Sequence, residues 1–311
     1  MKLALPTAVR DHLRSLPPGH EVAWYGDYEE CRAAAAGAEV LWLDFFRRPQ
    51  IEAVIRGAGG LRWVFTRGAG MDSQPLELYG ERGVVLTNGS GLVAGPIAES
   101  LVLAMLAAAK RFPELVRAQD RADWLRRPPG LGELQDTRAL VLGYGEIGRA
   151  VASRLAGFGV RVVGVRRRRS EDPAVIGPDE WRPRLPEFDW VIVTVASVTA
   201  NRHLVGAPEL AAMKAGAWIL NVTRGWIVDQ AALLDALRAG RIGGAYLDVT
   251  DPEPLPADSE LWRLPNVIVT PHSSWASARF GERSAELFLD NLARYLAGSP
   301  LRNMVDLQAG Y

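Results

Sequence analysis

The chain has 311 residues, 48% of them apolar, which is more than one ordinary core serves and implies two domains. Lysine plus arginine and aspartate plus glutamate stand at 36 each, so no global charge field points to a nucleic acid or a membrane surface. One cysteine, Cys31, gives no disulfide framework and no thiolate metal site, and no metal is expected.

The longest apolar run, 101–109, is too short to span a bilayer. Residues 1–6 are too short for a signal peptide, and the expected location is the cytoplasm. The first part of the chain alternates apolar runs with helical ones. Residues 21–25, 40–45, 61–66 and 84–87 read as buried strands; 28–36 and 50–57 read as helices. That alternation argues for a parallel sheet with helices on its faces. After the third of these strands comes Arg67-Gly68-Ala69-Gly70-Met71-Asp72, a turn able to present several backbone N–H groups to one anion. An ordinary strand-to-helix turn is the other reading, and Arg67 either adds charge there or is solvated. Pro96 opens a long helix over 97–112. The charged stretch 117–132, with Trp124 and Pro128-Pro129, reads as an extended arm suited to packing on a second subunit.

A second alternating series begins at Arg138. Strands fit 138–142, 160–165, 190–195, 217–222, 244–249 and 267–270; helices fit 147–156, 208–213 and 230–239. Between the first of these strands and its helix lies Gly143-Tyr144-Gly145-Glu146-Ile147-Gly148, a G-x-G-x-x-G turn. Gly143 allows the tight turn, Gly145 lets a pyrophosphate approach the backbone, and Gly148 lets helix and strand pack closely. The helix start adds free N–H groups and a positive dipole end. Six strands with crossover helices, starting at such a loop, fit a doubly wound dinucleotide fold. The tail, 276–297, reads as one amphipathic helix with Leu287, Phe288, Leu292, Tyr295 and Leu296 as its buried stripe, ended by Gly298 and Pro300.

The second strand of this series ends at Arg166-Arg167-Arg168-Arg169, with Arg166 where an acid usually holds the adenosine ribose. An acid there repels a 2′-phosphate; arginine pairs with it. NADP(H) is therefore expected over NAD(H), through Arg166 and Arg167, with Arg168 and Arg169 facing water. A solvated charge run is the plain alternative.

Three successive strands end in chemically useful residues: Asn221-Val222-Thr223-Arg224-Gly225, then Asp248 with Glu253-Pro254, then Thr270-Pro271-His272. Carboxyl ends of parallel strands are where ligands bind in such sheets. Of the other histidines, His12 and His20 read as exposed and His203 as structural.

On these motifs the chain resembles the D-isomer-specific 2-hydroxyacid dehydrogenases, most nearly their glyoxylate/hydroxypyruvate reductase-like branch. The resemblance runs from the Gly68–Asp72 turn to His272. It implies an α/β architecture of two doubly wound parallel-sheet domains. A Rossmann cofactor domain (96–276) is inserted in a discontinuous flavodoxin-like substrate domain (1–95 and 277–311). It also implies a small 2-keto or 2-hydroxy acid as substrate. His272 is then the general acid in reduction, with Glu253 hydrogen-bonded to it so as to keep its proton. Arg224 grips the substrate, as do the amides near Gly70 and Met71. Thr223 and Asp248 lie near the nicotinamide. Family members are commonly homodimers. Ala196, where many members have proline, and Arg166 depart from the common pattern. Two alternatives stay open: a relative acting on another acid, such as a phosphorylated one, and a non-enzymatic cofactor-sensing protein.

Overall fold

The computed structural model describes residues 1–44, 46–167 and 170–311. They form two compact units, Met1–Val93 with Ser277–Tyr311, and Ala94–Ala276. Both are α/β with parallel sheets.

The first unit begins β1 (Lys2–Pro6), β2 (Glu21–Tyr25), α1 (Tyr28–Ala35), β3 (Val40–Trp42), α2 (Arg48–Gly57), β4 (Trp63–Phe65), α3 (Leu76–Glu81) and β5 (Val85–Thr87). Its sheet runs β2-β1-β3-β4-β5, every pair parallel, the flavodoxin-like doubly wound order. Strand β1 was absent from the sequence reading and is internal to the sheet, pairing with both β2 and β3. Its five residues are a short apolar run closed by proline, and such a run has no periodicity to mark it. Expected strand 40–45 closes at Trp42, and Phe45 lies outside the described residues. Helix α1 starts where Asp27 accepts from the Glu30 amide at 2.9 Å, while the Glu30 carboxylate accepts from the Gly26 amide at 2.6 Å. These two bonds satisfy amides that a helix start leaves unpaired.

The second unit contains α4 (Ala94–Ala109), α5 (Phe112–Asp120), β6 (Arg138–Leu142), α6 (Glu146–Ala156), β7 (Arg161–Val165), β8 (Val175–Ile176), β9 (Trp190–Val193), α7 (Ala207–Ala212), β10 (Trp218–Asn221), α8 (Gln230–Arg238), β11 (Gly244–Leu247) and β12 (Val267–Val269). Its sheet runs β12-β11-β10-β9-β6-β7-β8, all parallel, with the reversal of strand order between β6 and β9. That is the dinucleotide-binding order with one strand added beyond the sixth. The two-residue β8 was not foreseen. The helix expected to run to Phe112 stops at Ala109: Arg111 takes a left-handed φ of 48° and Pro113 sits at the start of a separate helix, α5. The first residues of the expected arm are therefore helical, and the irregular part begins at Arg121.

Helix α9 (Phe280–Leu296) closes the first unit. Residues 276–279, expected inside it, lie outside the helix and lead into it. Leu287, Phe288 and Leu292 are buried as expected, and Tyr295 is half-buried with its hydroxyl donating to Glu39 Oε1 at 2.7 Å. Leu296 is exposed, one position past that anchored face in the last turn. Phe288 stacks on Trp63 at 5.3 Å and lies 5.0 Å from Trp42. Among the described residues no helix is long and apolar enough to cross a membrane.

Candidate active site

Gly143, between β6 and α6, has φ 100°, and a Cβ there would lie 2.6 Å from the Thr194 carbonyl group. A Cβ at Gly148 would lie 2.5 Å from the Gly143 oxygen. Both positions therefore require glycine, for a turn pressed on β9 and for close helix packing. Gly145 is different: a Cβ there meets nothing within 4 Å. It caps α6, an eleven-residue helix whose first-turn amides have no partner within the helix. Such a helix start, with its free amides and positive dipole end, favours a diphosphate. Glu146 is paired with Arg149 on the surface of α6, and Ile147 is half-buried. The Tyr144 ring lies over β7, where a Gly164 Cβ would come 2.4 Å from it. Burial raises the Tyr144 hydroxyl pKa, with the charge of Asp172 adding to the effect.

Leu142 pairs with Val165, and the Gly143 and Tyr144 amides donate to the Val165 oxygen at 3.1 and 2.9 Å. Arg166 thus stands level with the start of the glycine turn. Its backbone is tied to Ile176 at 3.0 Å, and both Arg166 and Arg167 are exposed. Arg168 and Arg169 lie outside the described residues.

Strands β10, β11 and β12 are neighbours, with Asn221 level with Leu247 and Leu247 level with Val269. The loops that follow them therefore emerge side by side. The first two touch: a Cβ on Gly225 would lie 2.0 Å from the Thr250 backbone. Gln230, at the start of α8, clasps Asp251 from both sides, donating to its oxygen at 2.7 Å and accepting from its amide at 3.0 Å. Asn221 is buried and donates to the Arg224 oxygen at 2.8 Å, while Arg224 Nη1 donates to the Thr223 oxygen at 2.7 Å. The Thr223 amide and hydroxyl both donate to Asn221 Oδ1, at 3.2 and 3.1 Å.

His272 Nδ1 lies 2.6 Å from Glu253 Oε1, both side chains half-exposed. The backbone of His272 is left-handed, φ 49°, and its amide donates to the Asp248 oxygen at 2.8 Å. A non-glycine residue held at positive φ costs energy and persists where its surroundings fix it. Asp248 does the fixing. It is buried, and its carboxylate accepts from the Thr270 hydroxyl at 2.6 Å, the Ser273 amide at 2.9 Å and the Ser274 amide at 3.1 Å. Tyr246 lies beneath, its hydroxyl 3.0 Å from Thr270 Oγ1 and its pKa pushed up to about 12, first by burial. Sequence reasoning missed this buckle, along with Gln230. Asn221 stood inside a quoted motif, but nothing in a single sequence marks Gln230. With one ring nitrogen held by a carboxylate, the His272 imidazole has Nε2 to exchange a proton with a ligand.

In the first unit, the amides from Gly68 to Met71 donate no hydrogen bond to any described residue. The loop is braced by the Gly89 amide on the Gly68 oxygen at 3.2 Å and by Asn88 Nδ2 on the Ala69 oxygen at 3.3 Å. Gly70 is half-exposed, whereas the Met71 side chain is buried and belongs to the apolar core of the first unit. Arg67 is neither a solvated charge nor one aimed at a ligand alone. Its amide donates to Asp44 Oδ1 at 2.9 Å and its Nε to Asp44 Oδ2 at 2.5 Å, with the Trp42 indole donating to the same oxygen at 2.6 Å. Burial raises the Asp44 pKa, against the lowering influence of Arg67. Of the histidines set aside, His12 is exposed, while His20 is half-buried with Nδ1 shut off from solvent. His203 has φ 50° and lies 3.8 Å from Asp229.

Residues 102–274 match the family model described as "D-isomer specific 2-hydroxyacid dehydrogenase, NAD binding domain". The chain is 34% identical over 260 residues to glyoxylate reductase of Korarchaeum cryptofilum, covering 81% of this chain and 78% of that one. It is 30% identical over 258 residues to D-3-phosphoglycerate dehydrogenase of Methanocaldococcus jannaschii, covering 82% of this chain and spanning about half (49%) of that protein. The solved D-isomer specific 2-hydroxyacid dehydrogenase of Xanthobacter autotrophicus, in complex with NADPH and MES, superposes with a TM-score of 0.80 at 29% identity, covering 100% of this chain and 99% of that one. The family and these relatives are NAD(P)-dependent dehydrogenases and reductases. With a nicotinamide-binding sheet and a histidine–carboxylate pair on its rim, the chain belongs to the D-isomer specific 2-hydroxyacid dehydrogenase family.

Proposed function

We propose that this chain reduces short 2-keto acids, glyoxylate and hydroxypyruvate among them, to D-2-hydroxy acids with NADPH. The observation that carries the reading is the His272–Glu253 pair, 2.6 Å apart, on the edge of the sheet whose β6–α6 turn is open to a diphosphate. When bound, the nicotinamide supplies the hydride. His272 Nε2 gives the keto oxygen its proton in reduction and takes it back in oxidation, while Glu253 holds the ring through Nδ1. Arg224 draws electron density from the keto group and anchors the carboxylate. Asp248 positions the His272 loop from beneath, and both Asp248 and Thr223 would lie near a bound nicotinamide. In the first unit, the amides of Gly70 and Met71 bind a carboxylate. The protein works as a homodimer in the cytoplasm.

The assay is loss of nicotinamide absorbance with glyoxylate or hydroxypyruvate. No oxidation of NADPH or NADH by any 2-keto acid sinks the reading and leaves a cofactor-sensing protein in its place. In the Arg224→Ala variant, KM for the keto acid rises and kcat falls; a change in cofactor affinity alone would show that Arg224 is misassigned.

Preference for NADPH rests on Arg166, level with the glycine turn, and on the NADPH complex of the Xanthobacter relative. A charge-assisted bond to the 2′-phosphate is worth about 1.5–3 kcal/mol, roughly 10- to 100-fold. Arg166→Asp therefore lowers the ratio of kcat/KM for NADPH over NADH by about that factor. Equal efficiency with the two cofactors before mutation, or an unmoved ratio after it, counts against the preference.

A further inference from the structure

Glu253 sits in a segment that has little to hold it. Residues 251–254 are exposed and belong to no helix or strand. Among the described residues, the main chain of 251–255 is hydrogen-bonded at two places only. The Thr250 hydroxyl donates to the Pro252 oxygen at 2.8 Å, a bond within the segment's own turn. The other place is Asp251, where Gln230 Nε2 donates to the main-chain oxygen at 2.7 Å and Gln230 Oε1 accepts from the amide at 3.0 Å. Arg202 comes no nearer than 4.0 Å to the Asp251 carboxylate, both side chains exposed, and such a pair holds little. Gln230 is itself anchored. It is half-buried at the start of α8, where the Ala231 and Ala232 amides donate to Asp229 Oδ1 at 3.1 Å and the Asp229 amide donates to the Val205 oxygen at 2.9 Å. The connection that carries Arg224 ends at this helix start. Gln230 therefore ties the Glu253 segment to a fixed point beside the Arg224 loop.

We infer that Gln230 is a positioning residue: its clasp on Asp251 holds Glu253 against His272 Nδ1, and so governs the proton-transfer rate rather than the binding of substrate or cofactor. This rests on the reading of His272 as proton donor. The Gln230 bonds go to Asp251 and not to Glu253 or His272, so its effect passes through the segment it holds. Without the clasp, Glu253 keeps its carboxylate but loses its place, and the imidazole loses the partner that orients it. A misplacement of about 1 Å in a catalytic group costs on the order of 10²-fold in rate.

The experiment uses Gln230→Met, which keeps length and helix propensity but removes both bonds, and Gln230→Glu, which keeps the acceptor for the Asp251 amide and loses the donor. Each is assayed for hydroxypyruvate reduction beside the full-length parent, Glu253→Ala, and the double variant Gln230→Met with Glu253→Ala. Gln230→Met lowers kcat about 10- to 100-fold, with KM for the keto acid and affinity for NADPH within about twofold of the parent. Gln230→Glu falls between the two. In the Glu253→Ala background, Gln230→Met changes kcat by no more than about twofold, because a residue acting through Glu253 has nothing left to position. Amide hydrogen exchange reads the clasp without turnover: Asp251 exchanges slowly in the parent and at least about 10-fold faster in Gln230→Met. An unchanged kcat in Gln230→Met, independent effects that multiply in the double variant, or an equal loss of NADPH affinity overturns the inference while the reductase reading stands. A parent protein that turns over no 2-keto acid overturns the reductase reading itself, and amide exchange then shows Gln230 as a clasp of the fold alone.

Discussion

His272→Ala is expected to lower kcat for keto-acid reduction by about 10²–10⁴-fold, the usual worth of a positioned general acid. The protein should fold and bind cofactor as before. The main-chain bonds that hold the loop run from Ser273, Ser274 and the His272 amide to Asp248, and none uses the imidazole. Glu253 loses its partner but is half-exposed, so water replaces the lost bond at little cost to stability. The variant should therefore separate chemistry from binding: cofactor affinity measured by fluorescence titration unchanged, turnover nearly gone. An unchanged kcat would remove His272 from the reaction.

The second large effect concerns stability. Arg67→Met should destabilise the protein by about 3–5 kcal/mol at neutral pH, because it leaves the Asp44 carboxylate buried and without its cation. The many exposed arginine–glutamate pairs, such as Arg32–Glu29, are worth about 0–1 kcal/mol each and make the contrast. The pH dependence has a definite sign. The folded-state pKa of Asp44 is raised, chiefly by burial, and loss of Arg67 removes a lowering influence and raises it further. A group with a raised folded pKa favours the fold fully below its unfolded value and stops doing so as pH climbs through the folded value. The deficit of Arg67→Met should hence shrink on acidification, as Asp44 takes up a proton. Adding Asp44→Asn to Arg67→Met should recover part of the loss at neutral pH. Urea or thermal unfolding that shows the single variant as stable as the parent at neutral pH would refute the account.

Much of this molecule was legible in its residues because the signals are local. The glycine turn states its own geometry: Gly143 and Gly148 have backbone where a Cβ would go, and Gly145 has space. The loops that carry Arg224, Glu253 and His272 could be placed at one edge because parallel strands deliver their following loops there, which needs no knowledge of side-chain packing. What escaped was non-local. Strand β1 is recognisable only through the neighbours on both its sides. Arg67 was read as a loop charge because its partner, Asp44, ends a different strand. The sequence shows the Asp248 carboxylate but not the Thr270, Ser273 and Ser274 donors that point at it from the neighbouring strand and its loop.

Trp42, Trp63 and Phe65 line the sheet face that Phe288 of α9 covers. Strands β1 to β5 are all made by Thr87, yet α9 begins only at Phe280. At about 5–20 residues per second, a ribosome takes roughly 10–40 s to traverse the interval. The second unit, unbroken in sequence, is complete before α9 appears. The nascent first unit meanwhile carries an uncovered aromatic sheet face, the kind of surface that aggregates or recruits chaperones. The biosynthetic weak point of this protein thus lies in the unit that is translated first and finished last.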